Sequence, residues 1–126
     1  MKLLDSCIWI EIVVGSPLGA QFLPLLLDEK QILVPALVQF EVRRWALRRY
    51  TKTRANEIIL ALREGVMVQT NERVALLAAE ISITHKLHAM DAFIYATALE
   101  HDAELVTCDG HFKDLPQVNY TAKTEL

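Results

Sequence analysis

The stretch "MDAFIYATALEHDAELVTCDGHF", Met90 to Phe112, decides the fold. From Asp91 to His101 it reads as a helix. The "AFIYATAL" within it is apolar almost all round, the composition of a helix enclosed in a core. A polar break follows, then Leu105 and Val106 make a short apolar strand that soon gives way to Asp109 and Gly110. An enclosed helix feeding a buried strand is the repeating unit of a parallel sheet, whose strands need crossover helices to join them. Two aspartates bracket this unit, Asp91 opening the helix and Asp109 just beyond the strand.

The same alternation extends outward. Lys2 to Asp5 reads as a short strand, followed by helical "SCIWIEIVV", which Ser6 is able to cap and which Gly15, Ser16 and Pro17 end. Leu18 to Leu27 reads as a second helix. "ILVP" is a strand cut off by Pro35, and Ala36 to Tyr50 and Thr53 to Glu64 are helices parted near Thr51, with Gly65 closing the latter. "VMVQ" is a strand, Glu72 to Lys86 a helix and Val118 to Tyr120 a weak final strand. The class is α/β, a parallel sheet covered on both faces with right-handed connections.

A chain of 126 residues fits one domain, residues 1–126. With 52% hydrophobic and 23% charged residues, neither disorder nor low complexity is indicated. The longest apolar runs, Cys7 to Ile10 and Phe22 to Leu27, fall far short of the roughly 18 residues a membrane span needs. Asp5 and Glu11 interrupt any leader that Lys2 could begin, so neither membrane insertion nor export is expected. Cys7 and Cys108 lack the spacing of zinc ligands or of a disulfide framework, and a reduced, cytoplasmic setting fits them. Each lies near a carboxylate singled out below, so the two could be neighbours, although ordinary buried thiols are the simpler reading.

Net charge is −3, yet Arg43, Arg44, Arg48, Arg49, Lys52 and Arg54 gather six of the thirteen basic residues with no acid between Glu41 and Glu57. That band is either a solvated helix face or a surface for phosphates or an acidic partner.

In parallel α/β sheets, sites form beyond the carboxyl ends of the strands, and four acids fall there. Asp5 ends the first strand. Glu41 follows the second, on a helix stripe with Leu37, Val38 and Trp45 where an idle glutamate would rarely point. Its plain alternative is an exposed residue paired with Arg44. Asp91, in a first helical turn, gains from the helix dipole or merely caps, and Asp5 shares that ambiguity. Asp109-Gly110 also matches a hairpin turn, but "HFKDL" lacks the alternation of a returning strand. Thr107 either orients Asp109 through its hydroxyl or simply suits a strand end. Arg44 and Arg48 are expected beside Glu41 on the same stripe, so that the basic band adjoins the site.

Two carboxylates about 4 Å apart repel by roughly 4 kcal/mol at an effective dielectric near 20, so four together need compensation. Raised pKa values neutralise one or two, whereas a divalent cation neutralises all. An all-oxygen ligand set selects Mg²⁺ or Mn²⁺ over zinc. His85, His88, His101 and His111 have no recognisable ligand spacing and read as surface residues.

"LLDSCIWIE", "PALVQFEV" around Glu41 and the Met90 to Phe112 block, in that order and spanning nearly the whole chain, resemble a PIN-domain protein. Length and layout are similar to the VapC-like toxins of toxin–antitoxin pairs. The resemblance implies a three-layer α/β/α fold with a parallel sheet of about five short strands, and Mg²⁺- or Mn²⁺-dependent endoribonuclease activity. Asp5, Glu41, Asp91 and Asp109 match the family's acidic quartet and Thr107 its accompanying hydroxyl, while Met90 stands where relatives often carry a polar or acidic residue. On this reading Asp5, Asp91 and Asp109 hold the metal, Glu41 is a ligand or orients the attacking water, and Ser6 and Thr107 support the set. The resemblance also implies a homodimer and a cognate antitoxin that occludes the site. Arg44, Arg48 and Lys52 would then hold either RNA phosphates or the antitoxin's acids. A phosphoaccepting receiver-like domain would need an acidic pair at the first strand end, and a haloacid-dehalogenase-type phosphatase a DxD where Cys7 stands. An inactive PIN-like module that only binds RNA or a partner is the other class of reading.

Overall fold

The computed structural model describes residues 1–123, so the last three residues of the expected 1–126 domain lie outside the described residues. Five strands, β1 (Lys2–Leu4), β2 (Ile32–Pro35), β3 (Val66–Val68), β4 (Glu104–Thr107) and β5 (Val118–Tyr120), form one sheet in the order β3-β2-β1-β4-β5. Every pairing is parallel, with Leu3 opposite both Leu33 and Leu105, and Leu4 opposite Val106. Successive strand residues point to opposite faces, and Leu3, Leu4, Leu33, Val34, Leu105 and Val106 are all buried, so both faces of the central strands are covered. Six helices do the covering: α1 (Ser6–Val14), α2 (Pro17–Phe22), α3 (Ala36–Arg49), α4 (Lys52–Leu62), α5 (Glu72–Thr84) and α6 (Ala89–Glu100). Both α1 and α6 pack on β4. The expected three-layer α/β/α architecture is the observed one.

Local chemistry sets the boundaries. Gly15 closes α1 in the left-handed region, at φ 72°, and Ser16 caps α2 by accepting from Gly19 N at 3.0 Å. The expected helix Leu18 to Leu27 is broken: α2 stops at Phe22 and a 3₁₀ segment runs Leu23–Leu27. Pro24 has no N–H to continue the α-helical ladder, and its ring would crowd the carbonyl four residues back. Asp5, not Ser6, is the N-cap of α1, its side chain accepting from Ser6 N. The enclosed helix opens at Ala89, which puts Asp91 inside its first turn. Asp109-Gly110 makes no hairpin; Asp109 caps a 3₁₀ turn, Gly110–Phe112, and the chain returns to add β5 parallel to β4.

The chain steps from β1 outward through β2 to β3, then crosses back to β4 and β5. The order therefore reverses between β1 and β4, and at such a switch point the loops leaving two adjacent strands diverge to open a crevice. Asp5 leaves β1 and Asp109 follows β4, so the fold itself delivers both carboxylates there. No single described helix is long and apolar enough to cross a membrane.

Candidate metal centre at the carboxyl edge of the sheet

Asp5 is the fixed point of the site, only 4% exposed. Its backbone N donates to Val106 O at 2.9 Å, extending the β1–β4 ladder by one bond. Its Oδ1 accepts from Ser6 N at 2.8 Å and its Oδ2 from Thr107 Oγ1 at 2.8 Å. Burial pushes the Asp5 carboxyl above the usual carboxylate range and the Asp109 charge adds to this, against the lowering effect of the bonds from Thr107, Ser6 and Cys7. Thr107 is fully buried, and its Oγ1 also accepts from Asp109 N at 3.0 Å. One hydroxyl thus ties Asp5 to the backbone that presents Asp109, which is why β4 ends in threonine.

Asp91 and Glu41 close the ring. Half-buried Asp91 is raised first by desolvation, then by Asp109 and Asp5, while His111 and His88 pull it back. Half-buried Glu41 is raised by desolvation, then by Asp5, and by Asp91 and Asp109, with the Ser6 hydroxyl opposing. Each carboxylate in this pair feels Asp5 and Asp109, which places all four in one electrostatic cluster. Glu41 Oε1 is buried yet has no hydrogen-bond partner, so the alternative of an exposed Glu41 paired with Arg44 does not hold. Among the described residues, no Lys or Arg forms an ion pair with any of the four.

A histidine lies against two of the carboxylates. His111 Nδ1 lies 3.1 Å from Asp109 Oδ1 and 3.8 Å from Asp91 Oδ2, and Asp91, Asp109 and His111 offer donor atoms within 4.8 Å of one another, a group that could hold a metal ion. His111 is exposed, as its sequence reading has it, but it belongs to this cluster all the same. The usable signal was its place two residues after Asp109, where a tight turn brings ring and carboxylate together.

Cys7 and Cys108 are neighbours, the possibility left beside the simpler reading of ordinary buried thiols: Cys108 N donates to Cys7 Sγ at 3.2 Å, and that sulfur lies 3.5 Å from Thr107 Oγ1 and 3.7 Å from Asp5 Oδ2. Both thiols are free. The Cys108 side chain, and then burial, pushes the Cys7 thiol far up, while contact with Cys7 pulls Cys108 down. Most of the basic band shares helix α3 with Glu41. Exposed Arg44 and Arg48 line an open groove with Phe40, Arg43 and Leu47, and Lys52 opens α4. A pocket of about 440 Å³ between Trp9, Ile12, Ile58 and Leu62 takes no lining from any of the four carboxylates. Cavity size therefore does not mark the site; the converging charges do.

Residues 2–118 match the family described as PIN domain. The chain belongs to the PIN domain family. Its five-stranded parallel sheet and carboxyl-edge crevice are thus the PIN fold as this sequence builds it. Among solved structures, a chain of a toxin–antitoxin complex from Klebsiella pneumoniae is 25% identical, with a TM-score of 0.81, over 94% of this PIN domain chain and 96% of that one. VapBC2 from Rickettsia felis, bound to a DNA fragment from its promoter, is similar in fold at 16% identity and a TM-score of 0.75, covering 96% and 97% of the two chains. VapBC-1 from nontypeable Haemophilus influenzae is similar at 19% identity and 0.72, covering 96% of each. No curated protein matches this PIN domain by sequence.

Proposed function

We propose that this PIN domain is a divalent-metal-dependent endoribonuclease and the toxin of a toxin–antitoxin pair. The observation that carries the reading is the clustering of Asp5, Glu41, Asp91 and Asp109 with three carboxyls pushed up and, among the described residues, no Lys or Arg paired to any of them. PIN domains are typically nucleases, and the similar Klebsiella, Rickettsia and Haemophilus structures are of toxin–antitoxin or VapBC complexes, which supports the antitoxin partner.

The donor set fits Mg²⁺ or Mn²⁺. Four carboxylates provide hard oxygen ligands, and the buried, unpartnered Glu41 Oε1 is an acceptor left free in a place where folding alone gives no reason for it. Asp5, Asp91 and Asp109 would hold the ion. Such an ion would supply a water of lowered pKa and positive charge to offset that growing on the phosphoryl oxygens.

The chain's own contribution is positioning. Thr107 and Ser6 N fix both Asp5 oxygens, so that carboxylate presents a set geometry and loses little entropy on loading. Glu41 Oε1, free of other bonds, orients the attacking water as a ligand or through a hydrogen bond. In-line attack on RNA from that position releases a 3′-hydroxyl and leaves a 5′-phosphate. Arg44, Arg48 and Lys52 carry flanking phosphates or the antitoxin's acids from α3 and α4. The protein acts as a homodimer in the cytoplasm, and residues 1–126 form one domain.

The test is to incubate the protein with mixed cellular RNA plus Mg²⁺ or Mn²⁺, with EDTA and Asp5→Asn controls. Cutting that needs the metal and stops in Asp5→Asn is expected. RNA that is bound without metal and never shortened would instead establish a pure binding module.

A further inference from the structure

Sequence reading left the divalent site with oxygen ligands only, but the geometry adds a nitrogen. We propose that His111 is a ligand to the ion held by Asp91 and Asp109, through Nδ1, making a mixed nitrogen–oxygen site. This rests on the metal reading above and specifies it.

Distances carry the argument. Ligand atoms each about 2.1 Å from one ion and adjacent around it lie roughly 3 Å apart, and opposed ones roughly 4.2 Å. His111 Nδ1 is 3.1 Å from Asp109 Oδ1 and 3.8 Å from Asp91 Oδ2, inside that span on both sides. The backbone that carries the ring is held in place. His111 N donates to Asp109 Oδ1 at 2.9 Å within the 3₁₀ turn, and the next residue, Phe112, is fully buried against Tyr95 with ring centroids 6.4 Å apart. His111 therefore stands at the site before any ion arrives. Asp91 and Asp109 come from different elements, so the ring faces a pair of carboxylates and not one surface partner.

A nitrogen donor has a consequence for ion choice. Mg²⁺ prefers oxygen throughout, whereas affinity for sites with imidazole rises along the first-row series from Mn²⁺ onward. The wild-type protein should favour Mn²⁺ over Mg²⁺, and His111→Asp should restore an oxygen-only preference.

The decisive measurement is electron spin-echo envelope modulation of bound Mn²⁺, with affinities for MnCl₂ and MgCl₂ alone from calorimetry. Wild type should show a directly coordinated ¹⁴N that vanishes in His111→Ala, with Mn²⁺ affinity falling about tenfold or more. His88, whose ring centroid is 6.3 Å from that of His111, is the other nitrogen source, so His88→Ala must keep the signal. Because His111 is exposed, its removal leaves the fold intact. Mn²⁺ bound without nitrogen coupling, or coupling that survives in His111→Ala, overturns the His111 assignment alone. A wild-type protein that binds no Mn²⁺ overturns it together with the metal reading.

Discussion

Thr107 Oγ1 donates to Asp5 Oδ2 at 2.8 Å and accepts from Asp109 N at 3.0 Å, so a single buried hydroxyl joins the ends of two neighbouring parallel strands at the point where their loops part. Thr107→Val keeps the shape and removes both bonds. With Asp5 Oδ2 buried and lacking that donor, unfolding free energy should fall by about 1–3 kcal/mol in urea titrations, and Mn²⁺ affinity should fall with it. Thr107→Ser should stay close to wild type in both.

The raised carboxyls fix how stability depends on pH. Between the ordinary carboxylate range and the raised values, the folded protein holds more protons than the unfolded chain, so metal-free stability should decline as pH rises through that window. Thermal melts in EDTA from pH 4 to 8 check this. A flat or rising melting temperature would mean that burial and neighbouring charge do not raise Asp5, Glu41 and Asp91 in the folded protein.

Asp5→Asn removes the most buried of the charges while keeping an oxygen for Ser6 N. Without metal it should melt above wild type at pH 8, and the advantage should shrink as pH falls through the raised range of the Asp5 carboxyl. Stability gained together with lost RNA cutting is the expected signature of an acid retained for function.

Saturating Mn²⁺ should reverse the wild-type penalty. At a hundred times the dissociation constant, binding to the folded state alone adds about 2.7 kcal/mol. The increase should be absent in Asp5→Asn and in Asp91→Asn, as read by melting temperature against Mn²⁺ concentration.

Gly19 tests the scaffold under α1. An added Cβ would lie 2.1 Å from Glu11 O and 2.7 Å from Ile12 N, backbone atoms that cannot step aside. Gly19→Ala should destabilise the protein by about 1–3 kcal/mol through displacement of α2 from α1, a loss that equilibrium unfolding would measure.

The sequence made the α/β plan legible because Leu3, Leu4, Leu105 and Val106 are apolar on both faces of their strands, a pattern only a sheet covered on both sides explains. Asp5, Glu41, Asp91 and Asp109 were legible through position, since each follows a strand or opens the helix before one. Pro24 breaks the second helix inside an apolar run whose length alone reads as one continuous helix. His111 was hidden for a different reason. Periodicity describes helices and strands, but the direction of a side chain leaving a 3₁₀ turn depends on the turn, here fixed by Asp109 accepting from His111 N. Burial along one helix was likewise beyond a spacing argument: Glu41 is half-buried while Arg44 and Arg48 are exposed.

The most direct test of the central claim is the anomalous difference density of a crystal soaked in MnCl₂. A manganese peak among Asp5, Glu41, Asp91 and Asp109, removed by Asp5→Asn, is the predicted result. An empty crevice at saturating Mn²⁺, or a peak elsewhere on the chain, would contradict it.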